Sequence, residues 1–131
     1  WKLALIGSAL IEDPIKAWKF GPVIDSVYHE FKNFGPRDIT SLGTIFYSNN
    51  FEGGSFVIPK VNSDDSETDV LINKIWEVYG CFDAMQLSNM THERGTPWHE
   101  TIDKHQEGAV NNYILPNNLI GKCMAKNLQN V

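Results

Sequence analysis

Three histidines and their acidic neighbours, His92-Glu93, His99-Glu100 and His105, fall within fourteen residues. By type, these side chains could hold a metal ion and activate a bound water for hydrolysis. A zinc hydrolase of the HExxH kind sets two histidines four residues apart on one helical face, with a glutamate between them as general base. Here the histidines are seven and six residues apart, and Gly95-Thr96-Pro97 breaks a helix inside the first interval. That spacing gives no positive sign of a metal centre and assigns no metal ligand. A metal-dependent hydrolase using His92, His99 and His105 with Glu93 or Glu100 stands as an alternative that would have to be built across two elements. Nucleophilic chemistry has less to work with: Ser88 lies mid-helix outside any G-x-S-x-G turn, and Cys81 follows a glycine without an oxyanion pattern. Gly53-Gly54 lacks the helix and lysine of a phosphate loop. No catalytic residue and no cofactor is expected.

The elements that carry these residues belong to one domain spanning residues 1–131, with 42% hydrophobic and 21% charged residues. A chain of that size buries about two-thirds of its unfolded surface without a disulfide or metal. Eleven Lys and Arg against sixteen Asp and Glu give a net charge of −5. This balance disfavours a nucleic-acid binder, which needs a basic face, and suits a basic protein partner. Cys81 and Cys123 stand far apart in apolar surroundings and read as two buried thiols of a reducing cytoplasm. No apolar run reaches the ~18 residues that a membrane helix needs.

Helical spacing dominates the pattern. Trp1 to Gly7 reads as the last turns of a helix closed by glycine. Gly21-Pro22 signals a helix start, and Val23, Val27, Tyr28, Phe31 and Phe34 then recur at helical spacing up to a stop at Gly35-Pro36. The expected element is a helix from Pro22 to Phe34 with its apolar face committed to the core and His29 and Glu30 in solvent. Between residues 39 and 62, β-branched and aromatic runs flank Asn49 to Gly54, which predicts a β-hairpin. Further helices are expected from Glu67 to Tyr79 with Val70, Leu71, Ile75, Val78 and Tyr79 apolar, and from Ala84 to about Glu93 after an Asp83 cap. Thr96-Pro97 opens another, on which Glu100 and Lys104 are spaced as an i,i+4 pair. Val110 to Leu115 reads as a short strand, and a last helix after Asn117 or Asn118 buries Leu119, Ile120, Cys123, Met124 and Leu128. The fold class is mainly α, a compact domain of about five to six helices with a small β element.

Two strings in this pattern resemble the signatures of a known family. Ala17 to Phe31, AWKFGPVIDSVYHEF, is similar to the opening motif of the Panacea domain, the SocA-like or GepA-like family of phage- and plasmid-associated proteins. Leu87-Ser88-Asn89-Met90-Thr91-His92-Glu93, followed by Thr96-Pro97-Trp98, resembles its second signature, about sixty residues further on. The resemblance spans roughly Trp1 to Leu128 and makes residues 39–62 a variable insert. It also implies a further N-terminal helical segment ahead of Trp1, whose loss would leave an apolar groove near Leu3, Leu5 and Leu10 or an oligomer contact, a homo-oligomer included, that fills it.

The resemblance implies a non-enzymatic, cytoplasmic antitoxin, bacterial or phage-encoded, that neutralises a cognate protein toxin by direct contact. An adaptor that delivers a partner to a protease is the alternative within the family. It assigns structural motif positions to Trp18, Gly21, Pro22, Val23, Leu87, Thr91 and Pro97. Tyr28, His92 and Trp98 are the candidate partner-binding residues. Aromatic rings serve as core anchors and as interface contacts; burial is the expected fate of Trp18 and Trp98, and Tyr28 can pack its ring with the hydroxyl at the surface. His92 suits either a helix C-terminus, where an imidazole meets free carbonyls, or a recognition surface shared with Trp98.

Overall fold

Ala17 is wholly buried on the central strand of a three-stranded antiparallel sheet in the computed structural model, which describes residues 1–49, 53–105 and 112–129. The sheet has the order β2-β1-β5, formed by β1 (Ile15–Trp18), β2 (Gly21–Ile24) and β5 (Tyr113–Ile114). β1 pairs with β2 through a two-residue turn, Lys19-Phe20, setting Ala17 opposite Pro22 and Trp18 opposite Gly21. On its other side Lys16 and Ala17 face Ile114 and Tyr113, and the Leu115 amide donates to the Ile15 carbonyl at 2.7 Å. Ala17 and Leu115 form the buried centre, with Ile15, Trp98, Ile102 and Ile120 packed against them.

There are six α-helices among the described residues: α1 (Lys2–Leu5), α2 (Asp25–Phe31), α3 (Ser66–Tyr79), α4 (Ala84–His92), α5 (Pro97–His105) and α6 (Asn117–Gln129). The architecture is mainly α with a small β component, as expected. α4 lies against β2, α5 against β1 and α6, and α1 against α6. Their starts follow local chemistry. The Asp65 carboxylate accepts from the Thr68 amide at 3.0 Å to cap α3. Asp83 and Gln86 satisfy each other's backbone amides in a capping box at α4. Thr96 accepts from the His99 amide ahead of Pro97, the first residue of α5. At the chain's start, Gly7 takes φ +83° two residues beyond α1, a conformation that glycine adopts without steric cost. No helix among the described residues is long and apolar enough to cross a membrane.

The segment from Ile15 to Phe34 departs most from expectation. Instead of one helix from Pro22, it forms the β1–β2 hairpin, and α2 begins only at Asp25 before a 3-10 turn at Lys32–Phe34. Pro22 is compatible with β2 because β2 is an edge strand, where the absent amide proton breaks no inner ladder. The helix starts where Asp25 places a carboxylate in the first turn and pairs with Lys16 of β1. None of its residues is buried; Val27 and Tyr28 are 49% and 44% exposed, so this helix does not commit its apolar face to the core. Gly35 does take a positive φ after the 3-10 turn, as a terminating glycine should.

Other expectations divide in the same way. The hairpin forms as β3 (Ile45–Asn49) and β4 (Gly53–Val57), with Phe46 opposite Phe56 and their rings edge to face at 5.3 Å. On α3, Leu71 is buried and Ile75 and Tyr79 are half-buried, whereas Val70 and Val78 turn outward. On α6, Cys123 is buried but Leu128 is exposed. Among the described residues the last strand is Tyr113–Ile114, and Val110 and Asn111 lie outside them. Among the described residues the i,i+4 contact on α5 is His99 Nδ1 with Asp103, at 3.4 Å, in place of Glu100–Lys104.

Cys81 is exposed just beyond the α3 terminus, so only Cys123 behaves as a buried thiol. Burial, with Glu100 nearby, pushes the Cys123 thiol above its ordinary pKa. A chromogenic disulfide reagent should therefore titrate one thiol rapidly in the native protein and two in denaturant, and C81S should remove the fast phase. A second expectation concerns Asp65, whose carboxyl is held below the usual range by its contacts with Thr68 and, more weakly, by Lys2. A depressed carboxyl stabilises the fold above its unfolded pKa and loses that contribution as pH falls through the folded value. D65A should thus lower the thermal midpoint at neutral pH, and the gap to wild type should close as the solution is acidified below the carboxylate range.

Candidate functional site

The two signature strings meet at one place, where the β1–β2 turn packs on the junction between α4 and α5. Gly21 is buried there with φ +123°, a backbone conformation that side-chain-bearing residues rarely adopt. A β-carbon at this position would stand 3.5 Å from both His92 Cε1 and Thr91 Oγ1. The strand thus meets the last turn of α4 through glycine backbone. The Trp98 indole N–H donates to the Trp18 carbonyl at 2.8 Å, tying α5 to the end of β1 across eighty residues of chain. Trp18 in turn meets the Tyr28 ring edge to face at 5.0 Å.

His92 closes the cluster. Its Nδ1 lies 2.6 Å from the Ser88 carbonyl, an acceptor only, so Nδ1 carries the proton. Its ring packs on Trp98 with centroids 4.0 Å apart. Thr91 Oγ1 also donates to the Ser88 carbonyl, at 2.7 Å. Just beyond α4, Thr96 Oγ1 sits 2.7 Å from the Thr91 carbonyl and 2.8 Å from that of Glu93, sharing its one proton between helix-end acceptors. Pro97 opens α5, and its carbonyl accepts from the Thr101 hydroxyl at 2.8 Å. Most polar groups of the motif residues thus close helix ends or join helix to sheet, whereas the buried Trp18 indole N–H has no hydrogen-bond partner among the described residues.

Of the signature positions, Trp18, Gly21, Thr91, His92, Pro97 and Trp98 converge here. Pro22 and Val23 extend away along β2, opposite Ala17 and Lys16. Leu87 is exposed on α4 and Tyr28 is exposed on α2. Both Trp18 and Trp98 are half-buried. The three histidines go to separate partners: His92 to Trp98 and Ser88, His99 to Asp103, and His105 to a stacked Tyr113 ring at 4.1 Å. Among the described residues no group of three or more His, Cys, Asp or Glu side chains could hold a metal ion.

Sequence reasoning missed Trp76, which is 74% exposed on α3. Its signal was available: position 76 falls off the Leu71, Ile75 and Tyr79 stripe that faces inward, so a large aromatic there points to solvent. The hairpin aromatics Phe46, Tyr47 and Phe56 are exposed as well.

A family model described as antitoxin SocA-like, Panacea domain, matches residues 1–99 of this chain. The matched span holds both signature strings and ends one residue past Trp98. No curated protein and no solved structure matches the chain.

Two substitutions test the junction. Trp98→Phe keeps the ring but leaves the Trp18 carbonyl without its donor, and should cost about 1 kcal/mol of unfolding free energy. Gly21→Ala meets only ordinary van der Waals contact but forces an unfavourable φ, and should cost about 1–2 kcal/mol. Urea denaturation followed by far-UV circular dichroism reads both, and the double variant should depart from additivity because the two positions act on one junction.

Proposed function

This chain belongs to the SocA-like Panacea antitoxin domain family, and from that premise we propose that it neutralises a cognate protein toxin in the cytoplasm by binding and occluding it. The observation that carries this reading is the family match over residues 1–99. Two physical features support it. The net charge of −5 would steer the protein toward a basic toxin. Large apolar side chains stand exposed away from the signature junction, on α3 and on the β3–β4 hairpin, and burial of such groups stabilises an interface of roughly 1,200–2,000 Å² in total. In this reading His92 and Trp98 hold the scaffold, and Tyr28 is the one of the three candidate contact residues with an exposed ring to offer.

Co-expression with each small protein encoded beside this chain tests the proposal. One of them should arrest growth alone, and growth should return when this chain is present while the toxin level stays constant. A falling toxin level with rescue would instead indicate delivery to a protease. Persistent toxicity with every neighbour would remove the antitoxin reading.

A further inference from the structure

The β3–β4 hairpin receives little support from its own chain. Among the described residues its strands pair only with each other, and no helix or other strand packs on it to a comparable extent. One tie to the body lies just ahead of β3, where the Thr44 amide donates to Glu30 Oε1 of α2 at 2.8 Å. A lone two-stranded hairpin is marginal in water, and independent stability takes three or more strands or a covering element. Here all five residues of β4 are exposed, as are Ile45, Phe46 and Tyr47 of β3.

Natural sheets blunt an open edge with charge, proline or a bulge. This hairpin uses none of the three. Neither strand holds a charged residue or a proline, and the register runs unbroken from Ile45 opposite Val57 to Asn49 opposite Gly53. Residues 39–59 contain one charged side chain, Glu52, in a chain that is 21% charged. β4 is the more approachable edge, because Gly53, Gly54 and Ser55 are small. Phe46 lies across Gly54, where a β-carbon would run into its ring, and Phe56 meets that ring edge to face on the same side of the hairpin.

Charge selects the occupant. A surface for a basic partner would carry acids, whereas a surface that meets an identical chain of net charge −5 has to be free of them. Strand geometry points the same way. Antiparallel strands of one sequence pair about a two-fold axis, and in full register the middle residue faces itself. For β4 that sets Ser55 opposite Ser55 of the second copy and Phe56 opposite its Gly54, with the two Phe56 rings diagonal neighbours on one face. We propose that two copies of this chain pair through β4, antiparallel and centred on Ser55, joining their hairpins into one four-stranded sheet. Such a dimer does not depend on the antitoxin reading and forms without a toxin.

Sedimentation equilibrium of the whole chain, over a range of protein and salt concentrations, reads the association. Wild type should approach a dimer, and added salt should leave the dissociation constant unchanged or lower it, since screening relieves the repulsion between two acidic chains. S55K and S55E should each weaken the dimer by roughly tenfold at low salt, because like charges then face each other across the axis. Mixed in equal amounts, the two variants should associate within about threefold of wild type, because lysine and glutamate then stand opposite. Far-UV circular dichroism of each variant should match wild type, since Ser55 is exposed and lies in no helix. A wild type that stays monomeric at millimolar concentration overturns the pairing, and so does a dimer that both variants leave intact. Weakening by both variants with no recovery on mixing overturns the register centred on Ser55. A monomeric wild type whose binding to a suppressed toxin is weakened by S55K overturns the dimer in favour of the toxin as occupant of this edge.

Discussion

One hydrogen bond, from the Trp98 indole to the Trp18 carbonyl, sets the relation between the sheet and the helices. The sheet is short, and among the described residues β1 is its central strand, paired with β2 and β5. Fixing the end of β1 against α5 therefore also fixes β2, whose first residue, Gly21, comes against Thr91 and His92. The same ring carries the packing: Trp98 packs against the Ala17–Leu115 centre and also meets the His92 ring at a tilted 56°. Each contact constrains its neighbours. A side chain at Gly21 would demand a strained φ, and an imidazole turned away from Ser88 would leave Trp98 without its contact to the His92 ring.

This dependence explains which parts of the fold could be read from the sequence. Elements fixed by neighbouring residues were legible: the Asp83 cap, the Thr96-Pro97 start of α5 and the β3–β4 hairpin each rest on contacts within a few positions. The stretch from Ile15 to Ile24 was not, because its strands are stabilised by β5 and α5, about a hundred and about eighty residues away. Locally, Gly21-Pro22 satisfies two rules at once. It suits a helix start, and it equally suits a turn of positive φ followed by an edge strand. Only the distant partners decide between them. The helical spacing of Val23, Val27 and Phe31 was real, but it ran across a strand–helix boundary and so carried no single face.

The site was legible in its members and not in their roles. The signature strings named the residues that converge at the junction, but burial could not be read from residue type. Trp18 and Trp98 are half-buried rather than enclosed, Cys81 is open, and Trp76 escaped notice because helical spacing draws the eye to the inward stripe. Histidine density likewise suggested chemistry that the fold disperses, since His92, His99 and His105 each answer to a different neighbour.

A division of labour follows from where polar groups are satisfied. At the junction, the Trp98 N–H, the His92 Nδ1 proton and the Thr91 hydroxyl all have acceptors within the chain, so a partner arriving there would have to break contacts that hold the fold. On the outward side of α3, Trp76 exposes its ring, so a partner can add contacts there without breaking any of these. Association gains most where the free protein has least to give up. Side chains on that face can also change with no cost to the Trp18–Trp98 link, because α3 packs through its opposite side.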